Sequence, residues 1–347
     1  MLEVLEPGLL STVQDAGRPG STDLGVPISG ACDPWSLAVA NALAGADLGA
    51  PAVEMTIVGS TFRVLDAGRL ALAGADLGGW VRETGRRLLP GRIHVVEEGS
   101  TLEFPGPADP RSGSRAYVGL PGGVAIPSVL GSASTCLVGR FGGLAGRPLE
   151  PGDRLGGSGG GGPSGLSEMR TDAVWAVPGD PAPGWDPSRR PIRVVAGPHL
   201  DRIGAEVLEA LLAARWTVAD GSDRVGLRLR GPDLVGAAAG AVRDSWPELP
   251  SHGVTWGTIQ VPPDGAPIVL LVDHQTTGGY PVVAVAVGAD RPRLGQLRPG
   301  STVRFEQTDL ATARAALLRQ RATLLAGVAA LEDPAGPWDD LWRSAGG

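Results

Sequence analysis

Residues 257–281, GTIQVPPDGAPIVLLVDHQTTGGYP, contain two apolar runs separated by a turn sequence. The runs span 258–261 and 268–272, and they flank the four residues PPDG. Proline presets the backbone for a turn, and glycine supplies conformations that other residues avoid. The pattern therefore predicts a β-hairpin whose second strand leads directly into polar residues.

The end of this hairpin is unusually polar for a segment that follows a buried strand. Five polar residues come first: Asp273, His274, Gln275, Thr276 and Thr277. They cannot all enter an apolar core without hydrogen-bonding partners. Gly278 and Gly279 then precede Tyr280, and paired glycines allow the backbone to approach a ligand closely. The segment is therefore either a polar turn or a binding surface, and the density of polar groups favours the binding surface.

Composition and charge narrow the class of protein. The chain has 347 residues, of which 42% are hydrophobic, 54 are glycine and 31 are proline. Its length favours two domains, and short β-rich runs between many turn residues favour a mainly β fold. A net charge of −7 argues against nucleic acid or an anionic membrane as a partner.

Membrane and secretory signals are absent from the sequence. No run of about 18 apolar residues occurs, so no membrane span is expected. The first residues, MLEVLEP, lack the basic and apolar regions of a signal peptide. Cys32 and Cys136 are the only cysteines, which is no disulfide framework. These features predict a cytoplasmic protein.

The sequence contains no lysine, so its basic residues apart from four histidines are arginines. A Walker-type phosphate loop needs a lysine, and Schiff-base catalysis needs an amine. Both are therefore excluded for this chain acting alone. The histidines, at positions 94, 199, 252 and 274, show no metal-ligand spacing, so no metal site is expected.

A segment rich in glycine, serine and proline at 156–190 divides the chain. It cannot bury enough apolar surface to fold alone and is typical of a flexible linker. We predict a first part at 1–155, the linker at 156–190, a second part at 191–333 and a loosely attached tail at 334–347.

Local patterns place the helices and loops. Residues 11–33 are expected to form a glycine-punctuated loop region, followed by a helix that Asp33 caps. Further helices are expected at about 200–214 and 310–331. Glu54 is the one charged residue of an apolar strand, and we expect it at a sheet edge facing water.

Several stretches resemble signatures of the allophanate hydrolase subunit 2 family, also called the KipA family. They are residues 11–33, 115–123, 131–143, 222–230 and 257–281. This family includes KipA, the C subunit of bacterial ATP-dependent 5-oxoprolinase and part of the carboxyltransferase domain of urea carboxylase. The resemblance covers most of the chain. It implies a mainly β fold with a few helices, built of two cyclophilin-like β-barrel domains.

The candidate site residues come from these family-like stretches and from the polar chemistry of loops. Asp33, Asp223 and Asp273 are candidates for a catalytic base or an orienting group. Amide, hydroxyl, guanidinium and backbone groups suit the recognition of a small amide or carboxylate. The candidate substrate-binding residues are Gln14, Asp15, Arg18, Ser29, Arg115, Tyr117, Ser132, Ser134, Thr135, Arg224, Arg228, Gln260, Gln275, Thr276, Thr277, Gly278, Gly279 and Tyr280.

Alternatives remain open for some of these residues. Arg224 and Arg228 can hold a substrate carboxylate bidentately, or they can be solvated arginines on a sheet face. Asp15 and Arg18 stand three residues apart and can simply pair with each other. Asp33 is equally well explained as a helix cap.

The resemblance implies two related chemistries. One is ATP-dependent opening of 5-oxoproline to glutamate, with a KipI-like protein (allophanate hydrolase subunit 1) and a lactam-utilisation protein as partners. The complex then uses ATP, which this chain does not bind through a phosphate loop. The alternative is a carboxyltransferase component that takes its carboxyl group from carboxybiotin. A third, regulatory interpretation is a KipA-like protein that antagonises a KipI-like kinase inhibitor.

Three positions depart from the family pattern. Ala133 stands where most members have arginine, and His252 stands where an acidic residue is usual. Val282 stands where a lysine commonly follows the sequence GGYP. If the missing arginine binds an anionic group in other members, a different cation must replace it here. With these three changes, the chain can differ from other members in its substrate, or it can lack their activity.

Overall fold

The computed structural model describes residues 1–107, 109, 112–159, 174–175, 190–238, 246–247 and 249–332. We call residues 1–159 the first half and residues 190–332 the second half. Both are built mainly of short β-strands, which confirms the expected mainly β fold with a few helices. None of the described helices combines the length and apolarity needed to span a membrane.

The first half contains ten strands in two five-stranded sheets. The strands are β1 (Leu2–Glu6), β2 (Leu10–Gln14), β3 (Ala52–Thr56), β4 (Thr61–Val64), β5 (Gly68–Gly74), β6 (Trp80–Val81), β7 (Arg92–Val96), β8 (Thr101–Glu103), β9 (Arg115–Gly119) and β10 (Arg154–Leu155). The sheet orders are β10-β1-β4-β8-β6 and β2-β3-β9-β5-β7. Val4 and Phe62 of one sheet and Val13 and Val53 of the other are buried in one shared core.

One helix, α1 (Pro34–Ala44), follows the loop after β2. The Asp33 side chain accepts the backbone N–H of Ser36, and Pro34 occupies the first turn. Gly45 ends the helix with a φ of 68°, in the left-handed region that glycine enters without strain. The predicted helix and its cap at Asp33 are confirmed.

The second half forms a nearly closed barrel. Its strands are β11 (Ile192–Ala196), β12 (Trp216–Val218), β13 (Gly226–Arg230), β14 (His252–Gly253), β15 (Thr258–Gln260), β16 (Ile268–Leu270), β17 (Thr277–Gly278), β18 (Val282–Ala286), β19 (Thr302–Val303) and β20 (Phe305–Gln307). Eight of them form one sheet in the order β19-β12-β13-β16-β15-β18-β11-β20. The two end strands, β19 and β20, are separated by one residue in the chain, so the sheet must curl back on itself.

The predicted hairpin at the centre of this sheet is confirmed. Strands β15 and β16 pair antiparallel with Ile259 opposite Val269. The turn between them is closed by the N–H of Gly265, which donates to the carbonyl of Pro262 at 3.0 Å. Ile259 and Val269 are almost fully buried, so the hairpin forms part of the barrel core.

Four helices accompany the barrel: α2 (Leu200–Ile203), α3 (Ala205–Ala213), α4 (Arg291–Gln296) and α5 (Leu310–Glu332). The expected single helix at 200–214 is therefore wrong, because Gly204 interrupts it with a φ of 87°. The long final helix is confirmed. It leaves the barrel and packs against α1 of the first half through Leu324 and Val328.

Two further expectations need correction or stay open. Residues 10–14 form strand β2, whereas residues 11–33 were expected to be a loop region throughout. Most of the predicted linker at 156–190 and all of the tail at 334–347 lie outside the described residues, so the boundaries of the predicted parts remain predictions.

The two halves share a buried junction. The backbone N–H of Ser29 in the first half donates to the carbonyl of Val272 in the second half at 3.2 Å. Cys32 of the first half is fully buried within the core of the second. The polar end of the central hairpin therefore lies against the loop that precedes α1.

Candidate functional site

Glu54 lies in the middle of β3 at this junction. β3 is bonded to β2 on one side and to β9 on the other, so it is an inner strand. The Glu54 side chain is 1% exposed. The expectation of a water-facing edge position is wrong, because one charged residue in an apolar strand does not reveal which strands lie beside it.

Four groups surround the Glu54 carboxylate. Oε2 accepts the backbone N–H of Cys32 at 2.9 Å and the hydroxyl of Tyr117 at 2.6 Å. Oε1 accepts from Nη1 of Arg224 and lies 3.6 Å from Nε of Arg115. Burial raises the pKa of a carboxyl group, but the two arginines and these hydrogen bonds hold the pKa of Glu54 below its usual value. Glu54 is therefore ionised at neutral pH.

Arg224 connects Glu54 to the second half. Its Nε donates to Oδ2 of Asp273 at 2.8 Å, and its Nη2 donates to the carbonyl of Gly30 at 2.7 Å. Its Nη1 donates to Glu54. Burial lowers the pKa of an arginine, yet Asp273 and Glu54 hold that of Arg224 well above its usual value. All three nitrogens of the guanidinium are engaged by the protein, which does not support the predicted role of Arg224 in holding a substrate carboxylate.

Asp33 and Gln296 make a second polar link between the halves. Nε2 of Gln296 donates to Oδ2 of Asp33 at 2.6 Å and to the carbonyl of Arg115 at 2.9 Å. Oε1 of Gln296 accepts the backbone N–H of Arg115 at 2.9 Å. Asp33 also accepts the hydroxyl of Ser36 at 2.6 Å and donates its own N–H to Tyr117. Burial raises the pKa of Asp33, although hydrogen bonds from Gln296 and Ser36 oppose the rise.

The three candidate catalytic aspartates therefore all have other partners. Asp33 caps α1, and Asp273 accepts from Arg224 through both carboxylate oxygens, at 2.8 and 3.4 Å. Asp223 is exposed, and its Oδ1 accepts the N–H groups of residues 225 and 226 in a tight turn. These contacts favour structural roles for all three. We call Cys32, Glu54, Arg115, Tyr117, Arg224 and Asp273 the Glu54 cluster.

A second polar cluster lies in the loops beside it. Oδ1 of Asp15 accepts the hydroxyls of Ser132, at 2.6 Å, and of Ser134. Oδ2 of Asp15 accepts the backbone N–H of Ala133 at 2.6 Å. Asp15 thus fixes the loop at 132–134. Asp15 and Arg18 do not form the ion pair that the sequence left open, because Asp15 bonds to residues 132–134 and Arg18 donates to backbone carbonyls.

Arg18 is buried next to the same loop, with 2% of its surface exposed. Its Nη2 donates to the carbonyl of Ser134 at 2.5 Å, its Nε donates to the carbonyl of Val129 at 3.3 Å, and its guanidinium lies 4.9 Å from the centre of the Phe141 ring. Nη1 has no hydrogen-bond partner among the residues that the structure describes. Burial lowers the pKa of Arg18, although nearby acidic groups such as Asp15 oppose this. Within the described ranges, the guanidinium keeps a spare donor and a charge that no bonded carboxylate balances.

Two neighbouring side chains also have a buried polar atom without a partner in the described part of the chain. These atoms are Oε1 of Gln14 and Oγ of Ser29. The amide of Gln14 donates to the carbonyl of Thr135 at 3.2 Å, and the N–H of Arg18 donates to the carbonyl of Ile28 at 2.8 Å, so these loops adjoin. Ser29 has a φ of 53°, which serine rarely adopts. Unpaired buried polar atoms mark places where water or a ligand binds.

The candidate substrate-binding residues therefore fall into separate groups. Gln14, Asp15, Arg18, Ser29, Ser132, Ser134 and Thr135 form one set of touching loops, which we call the Arg18 cluster. Arg115, Tyr117 and Arg224 belong to the Glu54 cluster. Gln260 and residues 275–280 form a third group at the end of the central hairpin. Arg228 joins none of these groups, because its side chain is exposed on β13.

The hairpin end presents its polar groups at the surface. Gln260 is buried, donates to the carbonyl of Tyr280 at 3.4 Å and accepts from Gln275 at 3.4 Å. Gln275 and Thr277 are exposed, and Tyr280 is 44% exposed. Asp273 and His274 are buried, so only residues 275–280 of the polar segment stay outside the core.

The described residues do not support a Cys32 nucleophile or a metal site. Burial raises the pKa of Cys32 to about 12, so its thiol stays protonated. No group of three or more possible metal ligands occurs in the described ranges. His199 and His252 lie with ring centres 4.6 Å apart, but they are only a pair.

The three departures from the family pattern lie at two places. Ala133 is buried in the loop that Asp15 and Arg18 hold. The backbone N–H of Val282 donates to Nδ1 of His199 at 3.0 Å, and His199 stacks edge-on against His252. His252 and Val282 therefore meet at one histidine, although they are far apart in the sequence.

Sequence reasoning missed Glu54, Cys32 and Gln296 as members of the junction. A lone acidic residue in an apolar strand was the only available signal for Glu54, and it also fits an edge strand. Cys32 and Gln296 carry no such signal. Their importance comes from contacts between residues that are far apart in the chain.

Comparison with known proteins shows which family this chain resembles. The family model described as carboxyltransferase domain, subdomain A and B, matches residues 24–307. The chain is 36% identical to the C subunit of 5-oxoprolinase from Escherichia coli (strain K12), over 89% of this chain and 92% of the relative. It is 30% identical to the corresponding 5-oxoprolinase chain of Haemophilus influenzae, over 92% and 95% of the two chains. It is also 30% identical to urea amidolyase of Saccharomyces cerevisiae, over 88% of this chain but 16% of the relative.

Solved structures show the same fold. The crystal structure of TTHA0988 superposes with a TM-score of 0.74 at 33% identity, over 88% of this chain and 55% of that one. The crystal structure of the K. lactis urea amidolyase superposes with a TM-score of 0.75 at 26% identity, over 93% of this chain and 20% of that one. In both cases the present chain corresponds to one part of a longer polypeptide.

Proposed function

We propose that this chain, which belongs to the carboxyltransferase domain family of subdomains A and B, is a component of an ATP-dependent 5-oxoprolinase that opens 5-oxo-L-proline to L-glutamate. Two relatives, each named as the C subunit of 5-oxoprolinase, align over nearly their whole length, which supports this function. Such a name also implies a complex of several chains. We expect the complex to act in the cytoplasm and to include a KipI-like protein and a lactam-utilisation protein.

The observation that carries the proposal is the spare donor of Arg18. 5-Oxoproline has one carboxylate and one lactam group. Nη1 of Arg18 and the hydroxyl of Ser29 can both donate to a carboxylate, and both lack a partner among the described residues. Oε1 of Gln14, an acceptor that is likewise unpaired in the described ranges, can receive the lactam N–H. Arg18 also supplies a cation beside Ala133, where the family arginine is missing.

A partner protein completes the site in this proposal. The sequence has no lysine for a phosphate loop, so the ATP that the complex uses is not bound through such a loop in this chain. The hairpin end at 275–280 is exposed, and a partner that covers it would exclude water from the adjoining loops. Charges and dipoles act more strongly once water is displaced. The isolated chain is therefore expected to be inactive.

The alternative function is a carboxyltransferase component that uses carboxybiotin. The alignment with fungal urea amidolyases and the family description favour it. Gln275, Thr277 and Tyr280 then offer hydrogen bonds to an acceptor amide such as urea. The regulatory, KipA-like interpretation requires the same KipI-like partner. It does not require a catalytic site in this chain.

The test measures glutamate release from 5-oxoproline and ATP hydrolysis. The chain is assayed alone, then with the KipI-like protein, then with the lactam-utilisation protein as well. The expected result is ATP-dependent glutamate formation by the full set only. Substantial turnover by the isolated chain would show that the site is complete within it.

A parallel assay offers carboxybiotin and urea in place of 5-oxoproline and ATP. Carboxyl transfer without glutamate formation would overturn the oxoprolinase assignment in favour of the carboxyltransferase. The absence of both activities from a stable complex would favour the regulatory interpretation.

A further inference from the structure

We infer that Glu54 is a positioning residue whose buried carboxylate fixes Arg224, which in turn holds the turn at 272–275 against the segment 29–32. The inference rests on the proposed function, because it assigns these contacts to the alignment of the Arg18 cluster with the hairpin end. Glu54 acts on the candidate ligand groups only through these neighbours.

Glu54 and Arg224 hold the segment 29–32 from two sides. Oε2 of Glu54 accepts the N–H of Cys32 at 2.9 Å, and Nη2 of Arg224 donates to the carbonyl of Gly30 at 2.7 Å. Ser29, whose hydroxyl is unpaired among the described residues, directly precedes Gly30. The orientation of Ser29 is therefore set by bonds to its neighbours.

The same guanidinium holds the turn of the second half. Nε of Arg224 donates to the carboxylate of Asp273 at 2.8 Å, and the carbonyl of Arg224 accepts the N–H of Asp273 at 3.0 Å. Gln275 follows two residues later and lies exposed at the hairpin end. One side chain thus joins the loop that carries Ser29 to the turn that carries Gln275.

Glu54 is the part of this arrangement that ties Arg224 to strand β3. Nε and Nη2 of Arg224 bond to Asp273 and Gly30, so the second half and the segment 29–32 meet at one guanidinium. The contact from Nη1 to Oε1 of Glu54 anchors that guanidinium to the sheet of the first half with a second charge pair. Glu54 is in turn held by Tyr117, whose strand β9 is bonded to β3.

The packing around Gly30 leaves little tolerance for a shift. Gly30 has a φ of 90°, and a Cβ added there would lie 2.8 Å from the nitrogen of Gly17 and 2.9 Å from the carbonyl oxygen of Asp15. The segment 29–32 is therefore pressed against the Arg18 cluster. A displacement of the segment must displace the candidate ligand groups as well.

Stability alone does not account for such a network. Well-packed apolar residues often replace buried ion pairs at no cost in stability, because burying charges carries a large desolvation penalty. What the charges add here is a fixed arrangement of three chain segments. A displacement of about 1 Å at reacting groups can lower a rate by about 100-fold.

The test removes Glu54 without leaving an unbalanced charge. The variant Glu54→Gln/Arg115→Gln removes one negative and one positive charge and keeps the Arg224–Asp273 pair. The matched control is Arg147→Gln/Asp153→Asn, which removes an ion pair of 2.8 Å whose side-chain contacts lie within residues 147–153. The single variant Glu54→Gln is measured as well, in case the double variant is unstable.

Two readouts are taken on the assembled complex and on the chain. Amide hydrogen exchange at residues 29–32 and 272–275 is expected to accelerate by about tenfold or more in the Glu54 variants, and to stay unchanged there in the control. The kcat/KM for 5-oxoproline is expected to fall by about 10- to 100-fold, mainly through kcat, with the control within about twofold of wild type.

Each outcome decides the question. Unchanged exchange in both segments would overturn the inference, and so would faster exchange with wild-type kcat/KM, because Glu54 would then be merely structural. If the wild-type complex does not act on 5-oxoproline, the proposed function has failed, and the exchange measurement alone decides whether Glu54 holds the two segments together.

Discussion

Arg224 and Arg18 are both buried arginines near the junction of the two halves, yet the protein treats them differently. Their exposed fractions are 3% and 2%. Arg224 donates to two carboxylates, of Asp273 and Glu54, and to one carbonyl. Arg18 donates to carbonyl groups, stacks on Phe141 and keeps Nη1 unpaired within the described structure.

The difference separates a charge that the protein's own carboxylates balance from one that we propose as a binding group. A buried cation that is matched by the protein's own carboxylates is complete without a ligand. A buried cation whose hydrogen bonds go only to carbonyl groups gains from an incoming anion that bonds to it directly. Exposure alone does not distinguish the two arginines, but their partners do.

The largest expected effect follows from Arg224→Met. The substitution leaves Glu54 and Asp273 buried without their shared partner, and breaking a buried ion pair in this way costs about 3–5 kcal/mol. Urea denaturation of the purified chain measures the loss in free energy of unfolding. Arg228→Met on the exposed face of β13 is the control and is expected to change stability by less than about 0.5 kcal/mol. A loss below about 1 kcal/mol for Arg224→Met would contradict the structural role.

The second expectation concerns pH. The pKa of Glu54 is lower in the folded chain than in the unfolded chain, because the arginines outweigh burial. Its stabilising contribution is therefore present above the ordinary value of about 4.3 and is lost as the pH falls through the folded pKa. The gap in unfolding free energy between wild type and Glu54→Gln should be constant from about pH 7 to about pH 5 and should narrow below about 4.3. A gap that narrows as the pH rises above about 4.3 would mean that Glu54 is buried uncharged, and a gap that does not change with pH would mean that folding does not shift its pKa.

The third expectation concerns Arg18→Met. Loss of the guanidinium leaves carbonyl groups without a donor, but it leaves no carboxylate without its partner. The free energy of unfolding is therefore expected to fall by only about 1–2 kcal/mol. The kcat/KM of the complex is expected to fall by about 10- to 100-fold, because a charged hydrogen bond to the substrate contributes about 1.5–3 kcal/mol. The control is Arg140→Met, an exposed arginine of the neighbouring loop. Near-normal turnover by Arg18→Met would remove Arg18 from the binding site.

The smallest effect on stability is expected at the hairpin end. Gln275→Ala and Tyr280→Phe alter exposed groups and should change the free energy of unfolding by less than about 0.5 kcal/mol. Each is expected to lower turnover of the complex by up to about tenfold, because each removes a neutral hydrogen bond at a binding surface. If each variant instead lost several degrees of melting temperature, packing would explain any loss of turnover.

Local features of the fold could be predicted from the sequence. The hairpin at 257–281, the cap at Asp33 and the final helix depend on residues close together in the chain, so their patterns are visible without a structure. The prediction failed at Gly204, where one glycine divides an otherwise regular helical pattern. It also failed at residues 10–14, where the glycines that follow concealed a strand.

For the candidate site, too, some features follow from the sequence and others only from the tertiary structure. The sequence by itself determined the mainly β fold, the absence of a phosphate-loop lysine and the polar loops from which a site is built. Only the tertiary structure decided which polar atoms bond to the protein itself and which have no partner among the described residues. The reason is physical: the pairing of Glu54 with Arg224, and the lack of such a partner for Arg18 in the described ranges, depend on contacts between segments far apart in the chain, which no local pattern records.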